Sequence, residues 1–135
     1  MKSLSILLVD DDEIERIKFK KVSKEAKFNS IIFEAKNGEN AITLLKNKVN
    51  SFDLIITDIN MPIMNGLDFL KVIKKNKKFK NIPVVIMSSS NDYQDLKALY
   101  DLGISGCFVK PLQFSEYINK VVTLLDYWHK SEIVS

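Results

Sequence analysis

Short apolar, β-branched runs alternate along the chain with longer stretches whose apolar residues recur at helical spacing, the pattern of parallel strands joined by helical crossovers. The strand candidates are Leu4–Val9, Ser30–Ala35, Leu54–Thr57, residues 83–87 and Gly106–Val109. Leu54, Ile55 and Ile56, and again Val84, Val85 and Ile86, run without polar alternation, which predicts strands covered on both faces. Between the strands, Ile14, Ile17, Val22 and Ala26 mark a first helix, and Ala41, Ile42, Leu44 and Leu45 a second. Helical periodicity continues through Leu67, Leu70, Val72 and Ile73, through Leu96, Leu99 and Leu102, and through a last helix over 114–128. Asp12 with Glu15 three residues later predicts a capping box at the start of the first helix. Gly103 after Leu102 predicts a helix C-terminal cap. The expected fold is α/β, a single doubly wound parallel sheet over residues 1–135 with strand order 2-1-3-4-5.

Composition narrows the function classes. At 135 residues with 46% hydrophobic and 10% aromatic side chains, the chain suits one core and excludes disorder as the main state. Twenty basic against seventeen acidic residues leave +3, and Arg16 alone is an arginine. That is too mild for a dedicated nucleic-acid binder, which needs a clustered face of guanidinium forks. Five of the seven residues 74–80 are lysine, a run read as a solvated helix end whose charge suits the negative end of the helix dipole. Cys107 has no second cysteine to pair with, which fits a reducing compartment. The apolar stretch before Asp10 is too short for a signal peptide, and no run nears the roughly 20 residues that span a bilayer. The expectation is a cytoplasmic protein with no nucleic-acid and no membrane partner.

The polar residues at the strand ends carry the chemistry. Asp10 and Asp11 follow the first strand, Asp58 the third, Ser88 ends the fourth and Lys110 the fifth. In the 2-1-3-4-5 order all of them fall on the carboxyl edge of the sheet, where open α/β sheets bind ligands. Crowded carboxylates repel one another unless a cation intervenes. Mg²⁺ suits such a site, because it takes one or two carboxylates, keeps several waters and leaves a position for a phosphate oxygen. His129 and Cys107 stand apart from the site, so zinc and copper have no support. A carboxylate beside the metal can attack phosphorus, and Asp58 sits correctly for it, with Lys110 and Ser88 placed to meet the developing oxygen charge.

Residues 6–12 (ILLVDDD), 53–70 (DLIITDINMPIMNGLDFL), 82–90 (IPVVIMSSS) and 106–111 (GCFVKP) closely resemble the receiver domain of two-component response regulators, the CheY-like superfamily, over nearly the whole chain. The resemblance implies a flavodoxin-like (βα)5 fold and a phosphorylation-dependent signalling domain without an output domain, not an enzyme in the ordinary sense. It implies that Asp58 accepts a phosphoryl group from a sensor histidine kinase or histidine phosphotransfer protein. Mg²⁺ would then be held by Asp11 and Asp58, by Asp10 through water and by the backbone carbonyl of Asn60. Lys110 would bind the phosphoryl oxygens, Ser88 would move toward them, and the Lys110–Pro111 bond would be cis. A downstream protein would read the result.

Two places depart from the family pattern. Cys107 stands where many receivers carry a Tyr or Phe that swings inward, and Phe108 beside it should face the other way. Ser90 is neither acidic nor an amide, so the lifetime of the phosphorylated form does not carry over. The last helix holds two apolar stripes: Phe114, Ile118, Val122 and Leu125 are expected to face the sheet. Tyr117, Val121, Leu124 and Trp128 are left as an exposed face. The ending Leu125, Asp126, Tyr127, Trp128 is similar to that of receivers paired with phytochrome-type kinases, which implies a homodimer through this helix. Packing against the fourth helix or a kinase is the alternative. His129 is expected to be a solvated helix-end residue. The rival functions are a small haloacid-dehalogenase-like phosphatase, with Asp10 as nucleophile and Asp12, Ser88 and Lys110 in support, and a scaffolding receiver that is never phosphorylated.

Overall fold

Alternate residues of a strand point to opposite faces, and here both sets are apolar. Ile6, Leu8, Leu54, Ile56, Val85 and Met87 enter one core, whereas Leu7, Val9, Ile55, Val84 and Ile86 enter the other. The computed structural model, which describes residues 3–47, 51–89 and 93–133 apart from the side chains of 93–95, resolves this double burial into a sheet between two helical layers. The elements are β1 (Leu4–Val9), α1 (Glu13–Glu25), β2 (Ser30–Ala35), α2 (Gly38–Lys46), β3 (Leu54–Thr57), α3 (Gly66–Lys75), β4 (Val84–Ser88), α4 (Tyr93–Asp101), β5 (Gly106–Val109) and α5 (Phe114–Lys130). All strand pairs are parallel, in the order β2-β1-β3-β4-β5. The direction of winding reverses between β1 and β3, which opens a crevice beyond their carboxyl ends.

Phe19 and Val22 of α1 pack with Tyr117, Val121, Leu124 and Leu125 of α5 on one face. Ala41 and Leu45 of α2, Phe69, Leu70 and Ile73 of α3 and Leu99 of α4 cover the other. Side-chain caps open three helices: Asp12 accepts from Ile14 N, Asn37 from Asn40 N and Asn65 from Asp68 N. Gly103 ends α4 as expected. Its φ is +94°, and the pair Gly103 N to Tyr100 O and Ile104 N to Leu99 O forms a Schellman motif.

Five expectations change. The fourth strand starts at Val84, because Pro83 has no N–H for the ladder and contributes only its carbonyl, to Ile55 N at 2.9 Å. The capping box is half made: Asp12 caps, but its own N–H goes to Asp10 Oδ1 at 3.0 Å rather than to Glu15. The stripes of α5 are largely exchanged, with Tyr117, Val121 and Leu124 buried on the sheet and Trp128 half-buried. Of the stripe expected inside, Leu125 is buried as expected, but Phe114 lies 47% exposed, and Ile118 and Val122 are half-buried. Both stripes are apolar and lie about 100° apart, so periodicity could not rank them; packing against α1 and the sheet core decided. His129 is half-buried rather than fully solvated: its ring stacks on Phe28 at 5.2 Å and its Nε2 meets Ser30 Oγ at 3.0 Å. Lys74 is also drawn in, donating to Lys80 O at 3.1 Å, while Lys75, Lys77, Lys78 and Lys80 are exposed. No helix among the described residues is long and apolar enough to cross a membrane.

Candidate functional site

The sheet ladder runs one residue past the strands and stops at the residues of interest. Asp10 N donates to Ala35 O at 3.0 Å, Asp58 N to Val9 O at 2.9 Å and Lys110 N to Ser88 O at 2.8 Å. Each backbone is thereby pinned by a final rung, and the side chains converge. One carboxylate oxygen from each of Asp10, Asp11 and Asp58 lies within 4.8 Å of the others. Lys110 Nζ reaches Asp10 Oδ2 at 2.6 Å, Asp58 Oδ2 at 3.4 Å and Glu15 Oε2 at 3.8 Å. Asp58 Oδ1 accepts from Ile59 N at 2.7 Å, and the Ser88 hydroxyl also bonds this carboxylate. Asp11 is exposed, and Asn60 is exposed in the connection that leaves Asp58. Six predicted residues are therefore gathered at one sheet edge. Asp12 is not among them: it faces solvent as the α1 cap. Ser89 is exposed and Ser90 lies outside the described residues. The Lys110–Pro111 bond is trans, since no cis bond occurs among the described residues; trans is the intrinsically favoured isomer of X–Pro.

Electrostatics follow from this crowding. Burial pushes the Asp58 carboxyl above its ordinary range, the neighbouring Asp10 adds to the rise, and Lys110, Ile59 N–H and Ser88 oppose it. Burial works against the Lys110 ammonium, yet its bond to Asp10 and the fields of Asp58, Asp10 and Glu15 outweigh burial and leave it raised. The site is thus a net-negative pocket with one cation bridging two carboxylates. Oxygen donors at this spacing, without nitrogen or sulfur, fit a hard divalent ion such as Mg²⁺.

Three supporting residues escaped sequence reasoning. Arg16, buried in α1, donates through Nη1 to the Asp10 carbonyl at 2.6 Å and through Nε to Glu34 at 3.1 Å, fixing the acidic turn to β2. Its being the sole arginine was the available signal. Gly66 opens α3 against the turn behind Asp58; a Cβ there would meet Asp58 O at 2.3 Å and Ile59 Cα at 3.0 Å. Glu15 faces the site from α1, with Oε1 on Lys18 at 3.1 Å. In the β3–α3 connection Ile63 takes φ +69° within a turn closed by Met64 N to Pro62 O at 2.7 Å, a strained conformation for a β-branched residue. Cys107 and Phe108 do face opposite cores.

Comparison with known proteins agrees with this geometry. The model of the response regulator receiver domain family matches residues 6–122. The chemotaxis protein CheY-3 of Vibrio cholerae is 34% identical over 110 residues, covering 82% of each chain. The two-component response regulator ORR11 of Oryza sativa subsp. indica is 34% identical over 111 residues, 82% of this chain and 74% of that one. Among solved structures, the phosphorylated cyanobacterial phytochrome response regulator RcpA superposes with a TM-score of 0.93 at 24% identity, covering 99% of this chain and 100% of that one. The receiver domain from Rhodospirillum rubrum superposes at 0.86 with 26% identity over 96% of each. Strand order, strand-end carboxylates and these relationships point the same way, and the chain belongs to the response regulator receiver domains of two-component signalling.

Proposed function

We propose that the chain is an Mg²⁺-dependent phosphoacceptor switch with Asp58 as the acceptor. The observation that carries this is the meeting of Asp10, Asp11 and Asp58 oxygens within 4.8 Å, with Lys110 Nζ spanning Asp10 and Asp58. An Asp58 oxygen attacks the phosphorus of a partner's phosphohistidine; the P–N bond breaks, its electron pair leaves on the imidazole, and an aspartyl phosphate forms. Asp11 and Asp58 would hold the ion directly, Asp10 through water and Asn60 through its backbone carbonyl. When bound, Mg²⁺ neutralises the carboxylates and the phosphoryl oxygens. Lys110 takes the phosphoryl oxygen on its side and Ser88 bonds the group once it is attached. The Mn²⁺-bound response regulator Rcp1, of the same fold at 24% identity, supports a divalent ion.

The donor is a sensor histidine kinase or a histidine phosphotransfer protein in the cytoplasm. Ile14 in the first turn of α1, with Ile63 and Leu112 on the connections that leave β3 and β5, all exposed, offer it apolar contact. The phosphorylated form acts on a downstream protein, and α5, with Phe114 and Tyr127 exposed, is the face for homodimerisation. Incubation with Mg²⁺ and acetyl phosphate, followed by mass mapping of the labile adduct, tests the reading: the adduct is expected on Asp58 and absent from Asp58→Asn. An adduct on Asp10, or turnover of phosphomonoesters, would favour the phosphatase, and no adduct at all the scaffold.

A further inference from the structure

Among the described residues one buried side-chain oxygen lacks a hydrogen-bond partner, Glu15 Oε2. Buried polar atoms are almost always bonded, so an orphan calls for a reason. It lies 3.8 Å from Lys110 Nζ, about 0.6 Å beyond the usual N–H···O range. Lys18 holds the other oxygen of the same carboxylate at 3.1 Å, which keeps the orphan aimed inward. Beside it is a cavity of about 10 Å³ lined by Asp10, Glu15, Asp58, Lys110 and Tyr117, the space of roughly one water. Lys110 has three N–H donors and spends its short contacts on Asp10 at 2.6 Å and Asp58 at 3.4 Å. The same two aspartates belong to the cluster that a divalent ion needs.

Resting on the phosphoacceptor reading above, we infer that Glu15 is a positioning residue, the second seat for the Lys110 ammonium. When the aspartates turn their oxygens to Mg²⁺, Lys110 moves the short distance onto Glu15 Oε2. The move lifts a competing cation from Asp10 and Asp58 while keeping it charged and within reach of an arriving phosphoryl group. Glu15 therefore acts on ion binding through Lys110 and not as a ligand.

Calorimetric titration with Mg²⁺ alone, on wild type, Glu15→Gln, Lys110→Met and the double variant, separates this from a bare charge effect. Glu15→Gln is expected to weaken Mg²⁺ binding fivefold or more in the wild-type background and less than twofold when Lys110 is already Met. An unchanged affinity in Glu15→Gln, or the same loss in both backgrounds, would overturn the role of Glu15 and leave the phosphoacceptor reading intact. Wild type that binds no Mg²⁺ would sink both. Should Glu15→Gln not fold, Glu15→Asp withdraws the oxygen by one methylene and is expected to show the same dependence on Lys110.

Discussion

Lys110→Met removes the ammonium that Asp10, Asp58 and Glu15 share. Asp10 keeps 7% of its side-chain surface in water and Asp58 12%, so neither regains its hydration when the partner is lost. Removing one member of a buried ion pair costs about 3–5 kcal/mol. Protonation sets a ceiling, because a carboxyl of ordinary pKa takes up a proton at pH 7 for about 4 kcal/mol. In chelator at pH 7 the expected loss is therefore about 3–4 kcal/mol. With an unfolding entropy of about 2.1 cal/mol/K per residue over 135 residues, that lowers Tm by about 11–14 °C. The loss depends on pH in a defined sense. An orphaned carboxyl binds its proton more tightly folded than unfolded, so the variant gains on wild type as pH falls. At pH 5 the escape by protonation costs only about 1.5 kcal/mol, and the gap in Tm narrows by more than half. Thermal melts by circular dichroism at pH 7 and pH 5 in chelator measure both quantities. A Tm within about 2 °C of wild type at pH 7, or an equal deficit at the two pH values, would refute the shared-cation account.

Saturating Mg²⁺, at 100 times its Kd, is expected to add about 2.7 kcal/mol to wild type and nothing to Asp11→Ala, read as the shift in Tm; equal shifts would remove Asp11 from the ligand set. Gly66→Ala places a methyl 2.3 Å from the Asp58 carbonyl, so it should lose about 1–3 kcal/mol by overpacking despite alanine's better helix propensity. A denaturant midpoint at or above that of wild type would contradict the close approach. Burial lowers the pKa of His129 below 6.5. Its contribution is therefore present above pH 6.5 and lost as pH falls from there through the folded value. Wild type should lose Tm relative to His129→Gln over that interval, and parallel curves would show that the ring is not desolvated.

Strand positions were legible because β3 and β4 are apolar on both faces, and the site was legible because its residues sit where strands end, positions that a strand order alone brings together. What stayed hidden depended on angles between elements. Glu15 has the spacing of a capping-box partner, and its approach to Lys110 depends on where α1 lies relative to the end of β5. The two stripes of α5 differ by about one residue's rotation, which no count of apolar positions resolves. His129 reads as a helix-end residue until Phe28, carried by the turn after α1, closes over it.

The last rungs at Asp10, Asp58 and Lys110 separate stiffness from responsiveness within a few ångströms. Main-chain amides there share the opening free energy of the sheet itself, so amide exchange at these positions should be as slow as in the strand interiors. A change of charge at the crevice then finds a floor that does not yield, and displacement must run outward through side chains and the connections to α1, α3 and α5. The strained turn at Ile63 lies on one of those routes.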